Sequence, residues 1–301
     1  MLLDRRTFAA GSAALLSGCA TVGTRTYSDC TPLAPVDADP SRLIRAVAGL
    51  RPYRRQGFVV RAEPLGDKRL VHNYGHGGGG ITLSWGSSKL ATELGLQGHS
   101  GPVAVLGSGV MGLSTARLVQ EAGFPVTIYT AALPPDTTSN IAGGQFHPFA
   151  VFREGYQPPE FMAQFTRALD YSWRRFQIMV GDDYGVRWLP TYVETDSPET
   201  KLLQTFPPVD RMLRPAEHPF PWSGTLRYDT MYVEVGRYLR QTIRDVQVAG
   251  ARSRCASSPR PPTSRPCPNR WCSTAPASAA TNCSATRRWS TITVTAARAS
   301  R

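Results

Sequence analysis

The clearest pattern of apolar and polar positions lies in residues 101–130. Residues 103–106 form a short, wholly apolar run, which is typical of a parallel strand buried on both faces. Residues 113–122 carry apolar side chains at helical spacing, Gly123 ends that pattern, and residues 126–129 form a second apolar run. The pattern predicts a strand, a helix and another strand in close succession, which indicates an α/β fold with a parallel sheet.

A glycine-rich loop joins the first predicted strand to the helix. Its glycines have the spacing Gly107-x-Gly109-x-x-Gly112. The first glycine permits a tight turn, the second lets a pyrophosphate approach the backbone, and the third allows helix and strand to pack closely. The helix N-terminus adds free amides and the positive end of its dipole. The loop therefore predicts a dinucleotide site.

The acidic residue that usually holds the ribose of a bound dinucleotide is missing from its expected place. Thr130 and Ala131 stand at the end of the second predicted strand, and the next acid, Asp136, lies too far along the chain to replace it. The sequence therefore predicts phosphate binding more directly than ribose binding. A nicotinamide-dependent oxidoreductase would use the same loop and is an alternative.

Five segments together resemble the D-amino acid oxidase family of FAD enzymes, which includes D-aspartate oxidase. "GSGVMGLSTA" (107–116) resembles the opening loop of that family, and "TTSNIAGGQFHPF" (137–149) resembles its second flavin segment. "MYVEVGRYLRQTI" (231–243) resembles a strand and helix at the edge of the substrate domain. "AGLRPYRR" (48–55) resembles the arginine turn, and "LVHNYGHGGGGITLSWGSSKLATEL" (70–94) resembles the last flavin loop with the final helix.

The resemblance implies an α/β fold, with a Rossmann-type FAD-binding domain and a partial α+β substrate domain. It implies FAD as cofactor, no metal ion, and oxidation of a D-amino acid by oxygen to an imino acid, giving 2-oxo acid, ammonia and hydrogen peroxide. Which D-amino acid is used is not indicated. The implied catalytic residues are Arg51, which would bind the substrate carboxylate, and Gly78. The residues implied to contact FAD are Gly77, Gly78, Gly79, Gly80, Ile81, Thr82, Gly107, Ser108, Gly109, Val110, Met111, Gly112, Thr137, Thr138, Ser139, Ala142, Gly143, Gly144 and Gln145.

Two of these segments suit their implied roles by their chemistry. Arg51 stands between Leu50 and Pro52, in a stiff apolar turn, and a guanidinium fork is a natural bidentate partner for a carboxylate. The glycines at residues 77–80 offer successive amides without side chains, which could donate hydrogen bonds to an isoalloxazine ring. Gly79 replaces the tyrosine usual in the family, which would leave that wall of the pocket open. A surface arginine and a flexible glycine linker are the less specific interpretations.

The segments come in an unusual order, because residues 41–95 resemble the end of the family's chain and precede its opening loop. We interpret the order as a circular permutation joined through residues 95–101, with the FAD-binding segment at 101–154 and the partial substrate domain at 155–250. The family's active-site tyrosine hairpin and the strand before it have no counterpart, so the family's C-terminal part is incomplete. A non-catalytic or inactive flavoprotein-like lipoprotein is therefore the alternative function.

The net charge of +12 is concentrated at one end of the chain. Residues 251–301 contain nine arginines and no acid, so the basic excess gives no reason to predict a nucleic-acid partner. This low-complexity tail has few large aliphatic side chains and is predicted to be disordered. We favour a shifted reading frame as its origin. A natural basic arm and a zinc module on cysteines are the alternatives, the latter on Cys255, Cys267, Cys272 and Cys283.

Residues 1–20 combine the pair Arg5-Arg6 with a short apolar run and the sequence Leu-Ser-Gly-Cys that ends at Cys19. They predict a twin-arginine export signal with a lipoprotein processing box, and so an exported bacterial lipoprotein, periplasmic or anchored to the membrane through Cys19. An ordinary basic N-terminal helix is the alternative. Residues 21–40 are rich in Thr, Pro, Asp and Ala and are predicted to be a linker. The oligomeric state is not indicated.

Overall fold

The computed structural model describes residue 37 and residues 39–195, 211–255 and 291–294. The chain divides into two units, Met1–Ala46 and Val47–Arg301. The described part of the first unit contains one short 3-10 helix, Pro40–Arg42, which the carboxylate of Asp39 caps by accepting a hydrogen bond from the amide of Ser41 at 2.8 Å. The predicted export signal with Cys19 lies outside the described residues. None of the described helices is both long and apolar enough to cross a membrane.

A six-stranded sheet is the framework of the second unit. Its strands, numbered in chain order, are β1 (Val59–Leu65), β2 (Lys68–Tyr74), β3 (Val103–Leu106), β4 (Val126–Thr130), β8 (Arg252–Cys255) and β9 (Thr291–Val294). Across the sheet the order is β1-β2-β9-β3-β4-β8. The strands β1 and β2 form an antiparallel hairpin, whereas each pair from β2 to β8 is parallel. The predicted α/β class with a parallel sheet is confirmed.

Four described helices complete the second unit. They are α1 (Gly80–Leu96), α2 (Val110–Glu121), α3 (Phe161–Gln177) and α4 (Val235–Val248). Helix α2 joins β3 to β4, so the predicted succession of strand, helix and strand is confirmed. The closest helix packing is between α1 and α3, where a Cβ atom on Gly86 would overlap the carbonyl oxygen of Ala168. Only glycine lets the two helices approach this closely.

The main hydrophobic core lies between the large sheet and the helices. Its members include residues from β2, β3 and β4 and from the inner faces of α1 and α2. The side chains in it that have no exposed surface include Val71, Leu83, Trp85, Val105, Leu113 and Ile128. This packing fixes the positions of the loops that follow β3 and β4, because β3 is fully buried and β4 is buried except at Tyr129.

A second, smaller sheet lies within the predicted substrate domain. It consists of β5 (Val186–Glu194), β6 (Arg211–Leu213) and β7 (Thr225–Val233), antiparallel and in the order β5-β7-β6. The second predicted flavin segment is attached to β7, since the amide of Phe146 donates to the carbonyl of Met231 at 2.7 Å. The boundaries given for the domains stay predictions.

Two segments of the tail that we predicted to be disordered belong to the large sheet instead. Residues 252–255 form the edge strand β8, and residues 291–294 form β9 between β2 and β3. The prediction of disorder was based on the small apolar area that these side chains can bury. A strand can also form through backbone hydrogen bonds to its neighbours when its residues favour an extended conformation. The four residues of β9, Thr-Ile-Thr-Val, are all β-branched and favour that conformation. Cys267, Cys272 and Cys283 lie outside the described residues, and the shifted reading frame stays a hypothesis.

Candidate functional site

A cleft of about 750 Å³ opens where β3 and β4 end and where α1 and α2 begin. In doubly wound sheets the carboxyl ends of the strands are where ligands bind. The cleft brings together segments that are far apart in the chain, including the arginine turn, the four-glycine run and the dinucleotide loop. The predicted site residues that line it are Arg51, Gly77, Gly78, Gly80, Ile81, Gly107, Gly109, Val110, Met111, Gly112, Thr137, Thr138, Ser139, Ala142 and Gly143.

The loop between β3 and α2 has the geometry of a phosphate-binding turn. Gly107 has a φ of 108°, which only glycine adopts readily, and Gly109 precedes the first residue of the helix. The first helical hydrogen bond runs from the amide of Leu113 to the carbonyl of Gly109 at 3.0 Å. The amides of Met111 and Gly112 therefore have no acceptor within the helix and lie at the wall of the cleft.

The hydroxyl of Ser139 lies directly against this helix start. Its Oγ accepts a hydrogen bond from the amide of Val110 at 3.0 Å. A Cβ atom on Gly109 would come within 2.9 Å of the same oxygen, so a side chain there would crowd it. Ser139 belongs to the 3-10 helix Thr138–Ile141. The second predicted flavin segment thus meets the first at the phosphate-binding turn.

The four-glycine run does not present four free amides, as the sequence reasoning assumed. The amides of Gly77, Gly78 and Gly79 donate to the carbonyls of Pro52 at 3.2 Å, Ala150 at 3.1 Å and His76 at 3.0 Å. The free donors at this wall belong to the first turn of α1, whose first helical bond runs from Leu83 to Gly79 at 2.9 Å. Among the residues that line the cleft, they are the amides of Gly80 and Ile81.

The glycines of this run are needed for close backbone packing. Gly77 has a φ of 56°, and a Cβ atom there would overlap the carbonyl oxygen of Ala150. A Cβ atom on Gly78 would lie 2.8 Å from the carbonyl oxygen of Phe149. At Gly79 the space for a side chain is occupied by Val151, which is 1% exposed. The expectation of an open wall at Gly79 is therefore wrong, because a different residue fills it.

Arg51 lies over the glycine wall with its guanidinium available. One of its terminal nitrogens is 3.4 Å from the position that a Cβ atom on Gly78 would take. Within the described part of the chain no carboxylate pairs with it. Arg54 differs, since its Nε donates to the carbonyl of Gly57 at 3.2 Å and its guanidinium lies 5.6 Å from the ring centre of Tyr74. Of the two, only Arg51 lines the cleft.

Five predicted cofactor residues do not line the cleft but hold its walls in place. The side chain of Ser108 bonds the hydroxyl of Thr130 at 2.7 Å, and the hydroxyl of Thr82 donates to the carbonyl of His147 at 3.1 Å. The side-chain amide of Gln145 donates to a threonine on β5. Sequence spacing could not show these directions, because they depend on which neighbouring segment packs behind each residue. The five are Gly79, Thr82, Ser108, Gly144 and Gln145.

Several residues that sequence reasoning had not placed in the site also line the cleft, among them His76 and Asp136. His76, just before the glycine run, is buried, stacks on Phe58 with ring centres 4.9 Å apart, and has its Nε2 2.9 Å from the Oγ of Ser87. Burial lowers the pKa of His76 to about 3, so its ring is neutral at physiological pH. Asp136 also lines the cleft. The sequence had set it aside as too far along the chain to hold the ribose, and the structure places it at the cleft without testing that role.

No group of His, Cys, Asp or Glu side chains among the described residues could hold a metal ion. The electrostatics of the cleft instead come from two helix N-termini and the guanidinium of Arg51. All three favour negatively charged or electron-rich ligand groups.

The chain matches the protein family described as FAD dependent oxidoreductase over residues 23–94 and 102–258. It is 42% identical over 65 residues to a D-amino-acid oxidase of Streptomyces coelicolor, covering 22% of this chain and 20% of that protein. It is 46% identical over 54 residues to a D-amino-acid oxidase of Rubrobacter xylanophilus, covering 18% and 17%. It is 37% identical over 67 residues to D-aspartate oxidase 1 of Caenorhabditis elegans, covering 21% and 20%. The matches thus span a fifth or less of the length of these curated relatives.

Two solved structures are similar at lower identity. A glycine oxidase from Bacillus cereus is 20% identical with a TM-score of 0.36, covering 51% of this chain and 45% of that one. An L-amino acid deaminase from Proteus vulgaris is 18% identical with a TM-score of 0.38, covering 53% of this chain and 42% of that one.

Proposed function

Since this chain belongs to the family of FAD dependent oxidoreductases, we propose that it oxidises D-amino acids to imino acids with oxygen as the electron acceptor. Water then converts the imino acid to a 2-oxo acid and ammonia, and oxygen becomes hydrogen peroxide. The observation that carries the proposal is the convergence of an available guanidinium, Arg51, and the N-termini of α1 and α2 on one cleft. The choice of D-amino acids is supported by the names of the curated relatives.

The residues of the cleft fit FAD. Its volume of about 750 Å³ lies within the range of about 300 to 1,000 Å³ that is usual for ligand sites. The amides of Met111 and Gly112 suit the pyrophosphate, and the first turn of α1 offers amide donors at the wall where Arg51 lies. When bound, FAD supplies the two-electron acceptor for the amino acid and passes the electrons to oxygen.

In this proposal Arg51 binds and orients the substrate. Its two terminal nitrogens can hold a carboxylate at two points, which fixes the direction of the substrate's Cα–H bond. Gly78 is the neighbour of the guanidinium, since a Cβ atom there would lie 3.4 Å from one of its nitrogens, in ordinary van der Waals contact. The neutral ring of His76 adds no competing charge at this wall. The chain's own contribution is therefore mainly positioning.

A non-catalytic flavoprotein of the same fold is a second candidate. It is favoured by the small sheet, in which the outer edge of β5 carries no neighbouring strand within the described residues. Trp188 and Leu189 on that strand are each 43% exposed. A substrate site normally needs a cover that excludes water, and this part of the described structure does not provide one.

The test is to purify the full chain, load it with FAD and measure peroxide with a panel of D- and L-amino acids. We expect peroxide from D-amino acids, and Arg51→Lys should lower kcat/KM about 10- to 100-fold because the bidentate contact is lost. Arg54→Lys is the matched control and should leave kcat/KM unchanged. Turnover of L-amino acids alone would contradict the proposal. A protein that binds FAD but makes no peroxide would support the second candidate.

We also propose that the chain is exported and anchored through Cys19. Twin-arginine export moves folded proteins, which would suit an enzyme that takes up its cofactor before export. In a bacterial host, labelled palmitate should be incorporated into the chain and lost in Cys19→Ser. Replacing Arg5 and Arg6 by lysine should keep the protein in the cytoplasm. Lipid labelling that persists in Cys19→Ser would contradict the anchor.

A further inference from the structure

Asp136 is the one carboxylate among the described residues that line the cleft. It stands between the end of β4 and the Thr-Thr-Ser segment, so it shares a wall with Ala131, Ala132 and Thr137. An unpaired carboxylate close to a pyrophosphate would weaken binding of the dinucleotide by charge repulsion. A hydrogen-bond donor elsewhere in the ligand can offset that repulsion. FAD contains such donors, because its adenosine ribose carries two hydroxyls.

The position that usually carries this acid cannot serve here. Thr130, the last residue of β4, is 2% exposed, and its hydroxyl donates to the carbonyl of Ala132 at 2.9 Å. The same hydroxyl lies 2.7 Å from the Oγ of Ser108, so it is engaged within the loop itself. Ala131 has no polar side chain. The strand end therefore offers no side-chain carboxylate to a ribose.

A turn returns the chain to the cleft at Asp136. The amide of Asp136 donates to the carbonyl of Leu133 at 2.8 Å, which closes the turn. In the described part of the chain the carboxylate has no ion pair and accepts no hydrogen bond. Asp136 is exposed, so its charged carboxylate pays no desolvation cost. Both oxygens are available as acceptors.

We propose that Asp136 binds the adenosine ribose of FAD by accepting hydrogen bonds from its 2′- and 3′-hydroxyls, in place of an acid at the end of β4. The proposal rests on FAD as the cofactor and not on which amino acid is oxidised. Its failure is therefore distinguishable from failure of the proposed reaction.

The test compares equilibrium binding of FAD and of its 2′-deoxyadenosine analogue to the apoprotein, followed by flavin fluorescence. The wild-type chain should bind the analogue about tenfold more weakly than FAD, because one hydrogen bond to a charged group is lost. Asp136→Ala should bind FAD about tenfold more weakly and should show little further loss with the analogue. Asp136→Asn keeps one acceptor oxygen and should fall between the two.

Two controls separate the ribose contact from general damage. FMN lacks the adenosine, so its affinity should be the same in the wild-type chain and in Asp136→Ala, which also reports that the variant is folded. Glu154→Ala removes an acid that does not line the cleft and should change neither affinity. The proposal is overturned if Asp136→Ala binds FAD at least as tightly as the wild-type chain does. It is also overturned if the variant loses as much affinity as the wild-type chain when the analogue replaces FAD.

Discussion

At this cleft the glycines matter because they have no side chain, and atoms of other residues occupy the space that a side chain would take. Gly77 was predicted to free an amide for a ring, but it instead lets the carbonyl of Ala150 approach. Local sequence singled out this run and Arg51, and the structure places Arg51 at the cleft, while its role toward a substrate stays a prediction. It could not predict that the amides of Gly77 and Gly78 are engaged, because their acceptors, the carbonyls of Pro52 and Ala150, lie in other segments of the chain. The sequence analysis set Asp136 aside by its distance along the chain, because it could not predict the turn after β4 that brings this residue to the cleft.

Gly77→Ala should lower the free energy of unfolding more than the same change at Gly98. Both residues have positive φ, 56° and 64°, so both replacements cost about 1 to 2 kcal/mol in backbone strain. Only at Gly77 would the added Cβ also overlap a backbone carbonyl, whereas at Gly98 nothing lies within 4 Å. Chemical denaturation measures both. Equal losses of stability would show that the close contact with Ala150 is not formed.

The buried ring of His76 should make stability depend on pH. Its pKa is lowered by burial to about 3, below the value of 6.5 for an unfolded histidine. The unfolded chain therefore binds the proton first, so this contribution to stability is fully present above pH 6.5 and is lost as the pH falls toward 3. Each pH unit in that interval should cost about 1.4 kcal/mol.

The measurement is denaturant unfolding of the wild-type chain and of His76→Gln at about one-unit steps between about pH 4 and 7. It gives the slope of the free energy of unfolding against pH for each protein. The variant should show the smaller pH dependence. His99→Gln, a change outside the cleft, should keep the wild-type slope. Identical slopes in wild type and His76→Gln would contradict the burial of a neutral ring.

At the level of elements, the sequence predicted what depends on local pattern. The strand, helix and strand of residues 101–130 are present with nearly the predicted bounds, since a buried apolar run and a glycine-ended helix are local signals. The contact between α1 and α3 was not predicted, because it joins residues far apart in the chain. Its geometry depends on a single position, Gly86.

Gly86→Ala should be among the most damaging single-methyl additions in the described structure. The new Cβ would overlap the backbone of Ala168, so α1 and α3 would have to separate, at a cost of about 3 kcal/mol or more. Gly236→Ala in α4 is the matched control. Nothing lies within 4 Å of its added Cβ, and alanine should stabilise that helix by up to about 1 kcal/mol. Thermal unfolding would separate the two variants, and similar midpoints would contradict the tight crossing.

For the whole molecule, the circular permutation stays a prediction, and the joint between α1 and β3 is where it can be tested. Gly98 and Gly101 in this joint have open space around the position of a Cβ atom. Insertion of a short Gly-Ser segment after Gly98 should leave FAD affinity and unfolding midpoint nearly unchanged, because lengthening a surface loop costs little. A large loss of FAD binding would show that the joint itself supports the cleft.

The place of β9 has a consequence for the growing chain on the ribosome. Strands β2 and β3 are made early but do not pair with each other, since residues 291–294 lie between them in the sheet. Until that segment leaves the exit tunnel, both strands expose an edge meant for the middle of the sheet, and exposed edges invite pairing with other chains. We therefore expect the nascent protein to depend on holding chaperones until β9 has left the exit tunnel.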